Sequence, residues 1–200
     1  LNPDGTVAAA GDNEDTIYPF VGGGFLQSHT SGSLATDLPI LTKGTQGHTI
    51  VALSADAIGI EYGCGNLTTS HMEYTIGTSP AFFMTVRFDI PDVSEYDVAF
   101  VGFRIQGGYG DITTPATLNA YTDLAGINVN AGDFIITTEL NNGGLTTTDT
   151  TDNWADGEEN SISVLGSDAG VVTYQITTAG GAASTLAAPT TTAAFTFDNG

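Results

Sequence analysis

Asp149, Asp152, Asp156, Glu158 and Glu159 crowd around Trp154, and Asp12, Glu14 and Asp15 form a second acidic cluster. Hard carboxylate oxygens at loop spacing are the ligands that Ca²⁺ takes. Two carboxyls about 5–9.5 Å apart in a groove are what glycoside hydrolysis needs. Neither pattern is completed. No stretch follows the D-x-[DN]-x-[DN]-G-x₅-E calcium loop, and the carboxylates of strand-like segments, Glu61, Glu73, Asp89 and Glu139, occur singly. In a chain with 23 Asp+Glu, clusters arise from solvation alone, so these groups are read as solvated loops, with no metal and no cofactor assigned. His29, His48 and His71 offer no H-x-H or H-E-x-x-H spacing, and no G-x-S-x-G elbow exists. Gly22-Gly23-Gly24 lacks the lysine and the strand-to-helix setting of a phosphate loop and reads as a hinge. No catalytic residue is assigned, and the chain is read as a non-enzyme.

The single cysteine, Cys64, leaves no internal disulfide and no cysteine zinc cage, and is expected to be a small packed side chain. Lys43, Arg87 and Arg104 are the only fixed cations in a chain of net charge -20. No basic stripe can neutralise phosphates, so nucleic acid is excluded as a partner, and anionic membrane surfaces with it. Arg87 and Arg104 sit in the two most apolar segments, where a buried cation needs a partner. Each is expected to meet a carboxylate such as Asp89 or a cross-sheet neighbour. Tyr62, Tyr96, Tyr109, Tyr121 and Trp154 are possible platforms for a sugar ring. Trp154 is expected to plug the core, while Tyr96 and Tyr109 in loops stay open as glycan contacts. Asn66-Leu67-Thr68 is a glycosylation sequon, meaningful only on a secretion route that uses it.

The elements that must position these groups are strands. From Trp154 to Gly180, Ile162 and Val164 alternate with Ser161 and Ser163. The run breaks at Ser167-Asp168-Ala169-Gly170, and Val172, Tyr174 and Ile176 resume it. That is the period of two half-buried strands joined by a turn. Further strands are expected near 49–54, 57–62, 72–76, 81–90, 97–105, 118–122, 133–140 and 193–198, with Pro115 to Ala125 able to hold a short helix instead. The continuous apolar runs 81–90 and 98–105 predict central strands, paired antiparallel across Pro91 to Asp97. Asn141-Asn142-Gly143-Gly144 is a turn. Residues 1–48, with 26 glycines in the whole chain and only short apolar fragments here, predict an arm packing on a neighbour or edge strands of the same domain. Residues 49–200 are read as one sandwich of ordinary domain size. No apolar run reaches the ~18 residues of a membrane span, and no basic-then-apolar leader opens the chain. Its start at Leu1 is expected to reflect processing or an upstream beginning, and its end on Asp198-Asn199-Gly200 hints at a further strand.

The tryptophan-led hairpin resembles the late hairpin of LamG or concanavalin-like jelly rolls, which implies an all-β, antiparallel jelly-roll β-sandwich with an extended N-terminal arm. The E-x-D-x-x-E strand pattern of that group's glucanases is absent here. The segments SPAFFMTVRFDIPDVSEYDVAFVGFRI, TTTDTTDNWADGEENSISVLGSDAGVVTYQI and PTTTAAFTFDNG look like virion structural proteins of marine tailed phages that carry a LamG-like jelly roll, over roughly residues 50 to 200. That resemblance implies a capsid decoration, cement or head-fibre subunit on the virion surface, with the major capsid protein or other virion subunits and further copies of itself as partners. It supplies no catalytic residues to carry over. A secreted carbohydrate-binding or adhesion module, and a filament subunit whose arm completes a neighbour's sheet, are the alternatives.

Self-repulsion at this charge opposes a compact state in dilute buffer, whereas half-molar salt shortens the screening length to roughly 4 Å. The melting temperature is therefore expected to rise between low salt and about half-molar sodium chloride, as scanning calorimetry would show. This charge predicts a protein at home in saline, extracellular surroundings, and an unchanged value would remove that expectation.

Overall fold

The computed structural model describes residues 16–20, 23–29, 40–43, 49–52, 60–64, 74–95, 98–105, 114–177, 184–186 and 195–198. The chain divides into two compact units, residues 1–73 with 107–113, and residues 74–106 with 114–200. This division lies later than the 48/49 boundary read from the sequence, and the segments expected near 49–54 and 57–62 fall in the first unit.

In that unit β1 (Thr16–Phe20) and β2 (Gly23–His29) pair antiparallel, with Tyr18 opposite Phe25. β2 also pairs with β5 (Ile60–Cys64), and β3 (Ile40–Lys43) pairs separately with β4 (Thr49–Ala52). The first 48 residues thus contribute β1, β2 and β3.

The second unit is an all-β antiparallel sandwich. One sheet has the order β10-β9-β8-β7, built from β7 (Ala99–Arg104), β8 (Leu124–Asn130), β9 (Asp133–Glu139) and β10 (Thr146–Asn153). The other has the order β13-β12-β11-β6, from β6 (Phe82–Asp89), β11 (Glu159–Gly166), β12 (Val172–Thr177) and β13 (Ser184–Leu186). The all-β, antiparallel sandwich expected from the sequence is met as two packed antiparallel sheets. Within them the chain crosses only twice, from β6 to β7 and from β10 to β11, and otherwise runs as plain meanders.

Alternation places the core. Val101, Ile127 and Ile136 form one cross-strand row, and Ala99, Val129 and Phe134 another, on the inner face of the first sheet. Val86, Ile162 and Ile176, then Met84, Val164 and Tyr174, answer them from the second. Burying an aliphatic or aromatic side chain of this kind contributes about 1.5–3 kcal/mol each, and no staple is needed.

Several expectations are corrected here. The segments 81–90 and 98–105 do not pair with each other: β6 pairs with β11 and β7 with β8, in opposite sheets. Nor are they central, because each is an edge strand of its sheet. The Pro91 connection is a crossing between layers, in which buried Ile90 accepts a hydrogen bond from the Gly157 amide at 2.8 Å, and Val93 packs on the core. The strand expected at 118–122 is a 3₁₀ helix, Pro115–Ala120, as its Pro start allowed. Of the strand expected at 72–76, the described part, from Tyr74, leads into a turn, and 193–198 contributes an isolated bridge from Thr196 to Val171.

Tyr174 carries its phenol into this core. Its hydroxyl is buried without a hydrogen-bond partner among the described residues, and burial pushes its pKa well above the ordinary phenol value. The unfolded chain releases this proton first, so the corresponding stability is fully present below about pH 10 and is lost as pH rises beyond it. Tyr174→Phe is expected to leave stability at neutral pH unchanged or slightly higher, and to shift the alkaline unfolding midpoint upward in denaturant titrations. An unmoved midpoint would show that the hydroxyl is not held in an apolar site.

Candidate functional site

Of the acidic residues that flank Trp154 in the sequence, the structure shows what Asp149, Asp156 and Glu158 do. Trp154 is 2% exposed. Its ring lies 4.6 Å from that of Phe88 on β6 and 5.3 Å from that of Phe134 on β9, so it joins the two sheets. Its amide donates to the Gly132 carbonyl at 2.6 Å, and Nε1 donates to the Glu158 carbonyl at 2.8 Å. Glu158 Oε2 accepts from the Ala155 amide at 3.3 Å, and Asp156 Oδ1 from the Val93 amide at 2.9 Å. Asp149 Oδ1 accepts from the Thr151 amide at 2.8 Å, inside a register break of β10 between Asp149 and Asn153. These carboxylates satisfy backbone donors that the strand ladders leave over. Among the described residues no group of three or more His, Cys, Asp and Glu gathers as a metal site would require.

The outer face of β6, β11 and β12 changes character along the strands. At one end Phe83 and Leu165 are cross-strand partners, 71% and 40% exposed. They border a hollow of about 320 Å³ with Ala81, Phe82, Val171 and Thr173. In the middle, Thr85 and Ser163 share a hydrogen bond of 2.8 Å between their hydroxyls. At the far end Arg87 forms an ion pair with Glu159, whose direct cross-strand partner is Asp89.

Arg87 therefore pairs with a neighbour across the sheet, as expected, but it is exposed rather than buried, because an edge strand of a sandwich turns every second side chain to solvent. Arg104 lies over the ring of Tyr121, 4.4 Å from its centroid, and donates to the Ile105 carbonyl at 2.9 Å. The juxtaposition of Asp89 and Glu159 is absent from the sequence reading, since only the pairing of β6 with β11 creates it. Their row stands six residues along β6 from Phe83, or about 20 Å, so the carboxyl pair and the hollow do not share a cleft.

Glu139 is a further residue that sequence reasoning left unassigned. It is buried on the outer side of the first sheet, where Oε1 accepts from the Gly144 amide at 3.3 Å and Oε2 has no partner among the described residues. The remaining candidates are placed only in part. His29 lies in β2, Lys43 in β3, and Glu61, Tyr62 and Cys64 in β5. Asp12, Glu14, Asp15, Gly22, His48, Asn66, His71, Glu73, Tyr96 and Tyr109 lie outside the described residues. No family model, curated protein or solved structure matches this chain.

The break in β10 stores strain. Thr151, exposed and β-branched, has φ 66°, a left-handed conformation that costs an L-residue roughly 1–2 kcal/mol. Thr151→Gly keeps the amide bonded to Asp149 and is expected to stabilise the sandwich by up to about 1 kcal/mol, read from urea unfolding. A loss of stability would mean that the threonine side chain supports the bulge.

Proposed function

We propose that this chain is a non-enzymatic structural subunit of a virion, decorating or cementing the outer surface of a phage capsid. The observation that carries this reading is the architecture of the segments that resemble phage virion proteins. They supply β6, β7, β10, β11 and β12 together with the Trp154 corner, the framework of the sandwich. In that corner Asp149, Asp156 and Glu158 hold backbone amides and build shape rather than a reaction centre. A surface of net charge -20 keeps such a subunit soluble and discourages contact with packaged nucleic acid. Its partners on this reading are the major capsid protein or other virion subunits and further copies of the chain, and its place is the extracellular face of the particle.

Banding the native source on a density gradient, followed by mass spectrometry of each fraction, tests this directly. The chain is expected to travel with DNA-filled particles at a fixed ratio to the shell protein. Recovery only in free soluble or fibrous fractions would overturn the proposal and favour the glycan-binding or filament alternatives.

A further inference from the structure

The sandwich has four sheet edges, and they are unequal. β10 is broken by its bulge and carries Asp149 and Asp152, and β13 is only three residues long, both familiar ways of blocking further pairing. β7 is short, six residues, and half-buried along most of its length. β6 has neither a bulge nor a short span, and its two charged residues, Arg87 and Asp89, stand together at one end. It runs eight residues, FFMTVRFD, with no proline and no lysine, in unbroken register with β11 from Phe82 to Asp89. No strand among the described residues pairs on its other side. With respect to the described strands, a row of backbone donors and acceptors therefore faces outward beside the ring of Phe83, which is 71% exposed.

We propose that this edge pairs with the β6 edge of a second copy, antiparallel about a two-fold axis through Thr85, so that the two outer sheets become one. The register follows from the side chains. Antiparallel partners share a face, so the two-fold axis must pass through a residue position. Centring on Arg87 would set two guanidiniums opposite each other, and centring on Val86 would set Phe83 against Asp89. Centring on Thr85 sets Phe83 opposite Arg87 of the other copy, an aromatic face against a guanidinium that keeps its Glu159 partner on the far side. It also continues the Thr85–Ser163 pair into a four-hydroxyl row, Ser-Thr-Thr-Ser, across the junction. On the inner face Met84 meets Val86 and Phe82 meets Phe88, all apolar. The pairing closes about six to eight backbone hydrogen bonds. Two chains of charge -20 repel, so the same pairing must strengthen as salt screens them.

Sedimentation velocity on the full chain, at low and at about half-molar sodium chloride, reads the assembly, with more dimer expected at the higher salt. Phe83→Lys, on an exposed side chain, is expected to keep the far-UV spectrum and melting temperature while weakening the dimer about tenfold or more. T85C is expected to give, on mild oxidation, a disulfide linking two copies through position 85, identified by peptide mapping. T173C, on the same face but two strands inward, is expected to stay unlinked. A monomer under both conditions at up to about 0.1 mM would overturn the proposal. So would a Phe83→Lys variant as dimeric as the parent, or linkage of T173C in place of T85C, which would mean that copies meet face to face.

Discussion

Everything in the sandwich depends on Trp154 standing between its two sheets. The ring touches Phe88 from one layer and Phe134 from the other, and its own segment is the crossing from β10 to β11. Because Nε1 and the backbone amide both have carbonyl partners, the largest side chain of the core is buried without an unsatisfied donor. The other crossing, from β6 to β7, is tied to this corner through Asp156 on the Val93 amide and the Gly157 amide on Ile90. Both links between the layers thus meet in one short segment, Trp154 to Gly157, which is why two plain meanders can hold together with no disulfide.

That arrangement also explains how so acidic a chain keeps a compact fold. Carboxylates near the corner are used as hydrogen-bond acceptors for backbone amides, interactions that gain from the negative charge instead of opposing it. The two arginines are spent locally as well, Arg87 on Glu159 and Arg104 on the Tyr121 ring. The second unit also turns outward an apolar hollow, a hydroxyl row and a strand edge that no described strand pairs with.

The hairpin of β11 and β12 was legible residue by residue because one of its faces is solvated, and alternation is the trace that a half-wet sheet leaves in a sequence. β8 left no such trace. Leu124, Gly126 and Asn128 on its outer side are as buried as Ala125, Ile127 and Val129 on its inner side, and a glycine and an asparagine interrupt the apolar run. Gly126 is there because the ring of Phe100 lies across it, a packing demand between strands that no local pattern records. The edge position of β6 was misread for the converse reason: an exposed Phe83 makes an edge strand look like a central one. Of the candidate site, the carboxylates around Trp154 were visible as a cluster, but their use as caps was not, since their partners Val93 and Ala155 are fixed by the crossing geometry. The Asp89–Glu159 row required knowing which strands pair.

The protein contains a single tryptophan, so its fluorescence reports on the central residue alone. Emission recorded through urea unfolding, together with acrylamide quenching and far-UV circular dichroism, is the most direct measurement. A Trp154 clamp predicts blue-shifted emission that quencher cannot reach in the folded state, lost in the same transition as the β signal. Red-shifted, quenchable emission from a chain that still shows full β structure would contradict the account, because the two sheets would then be held together by something else.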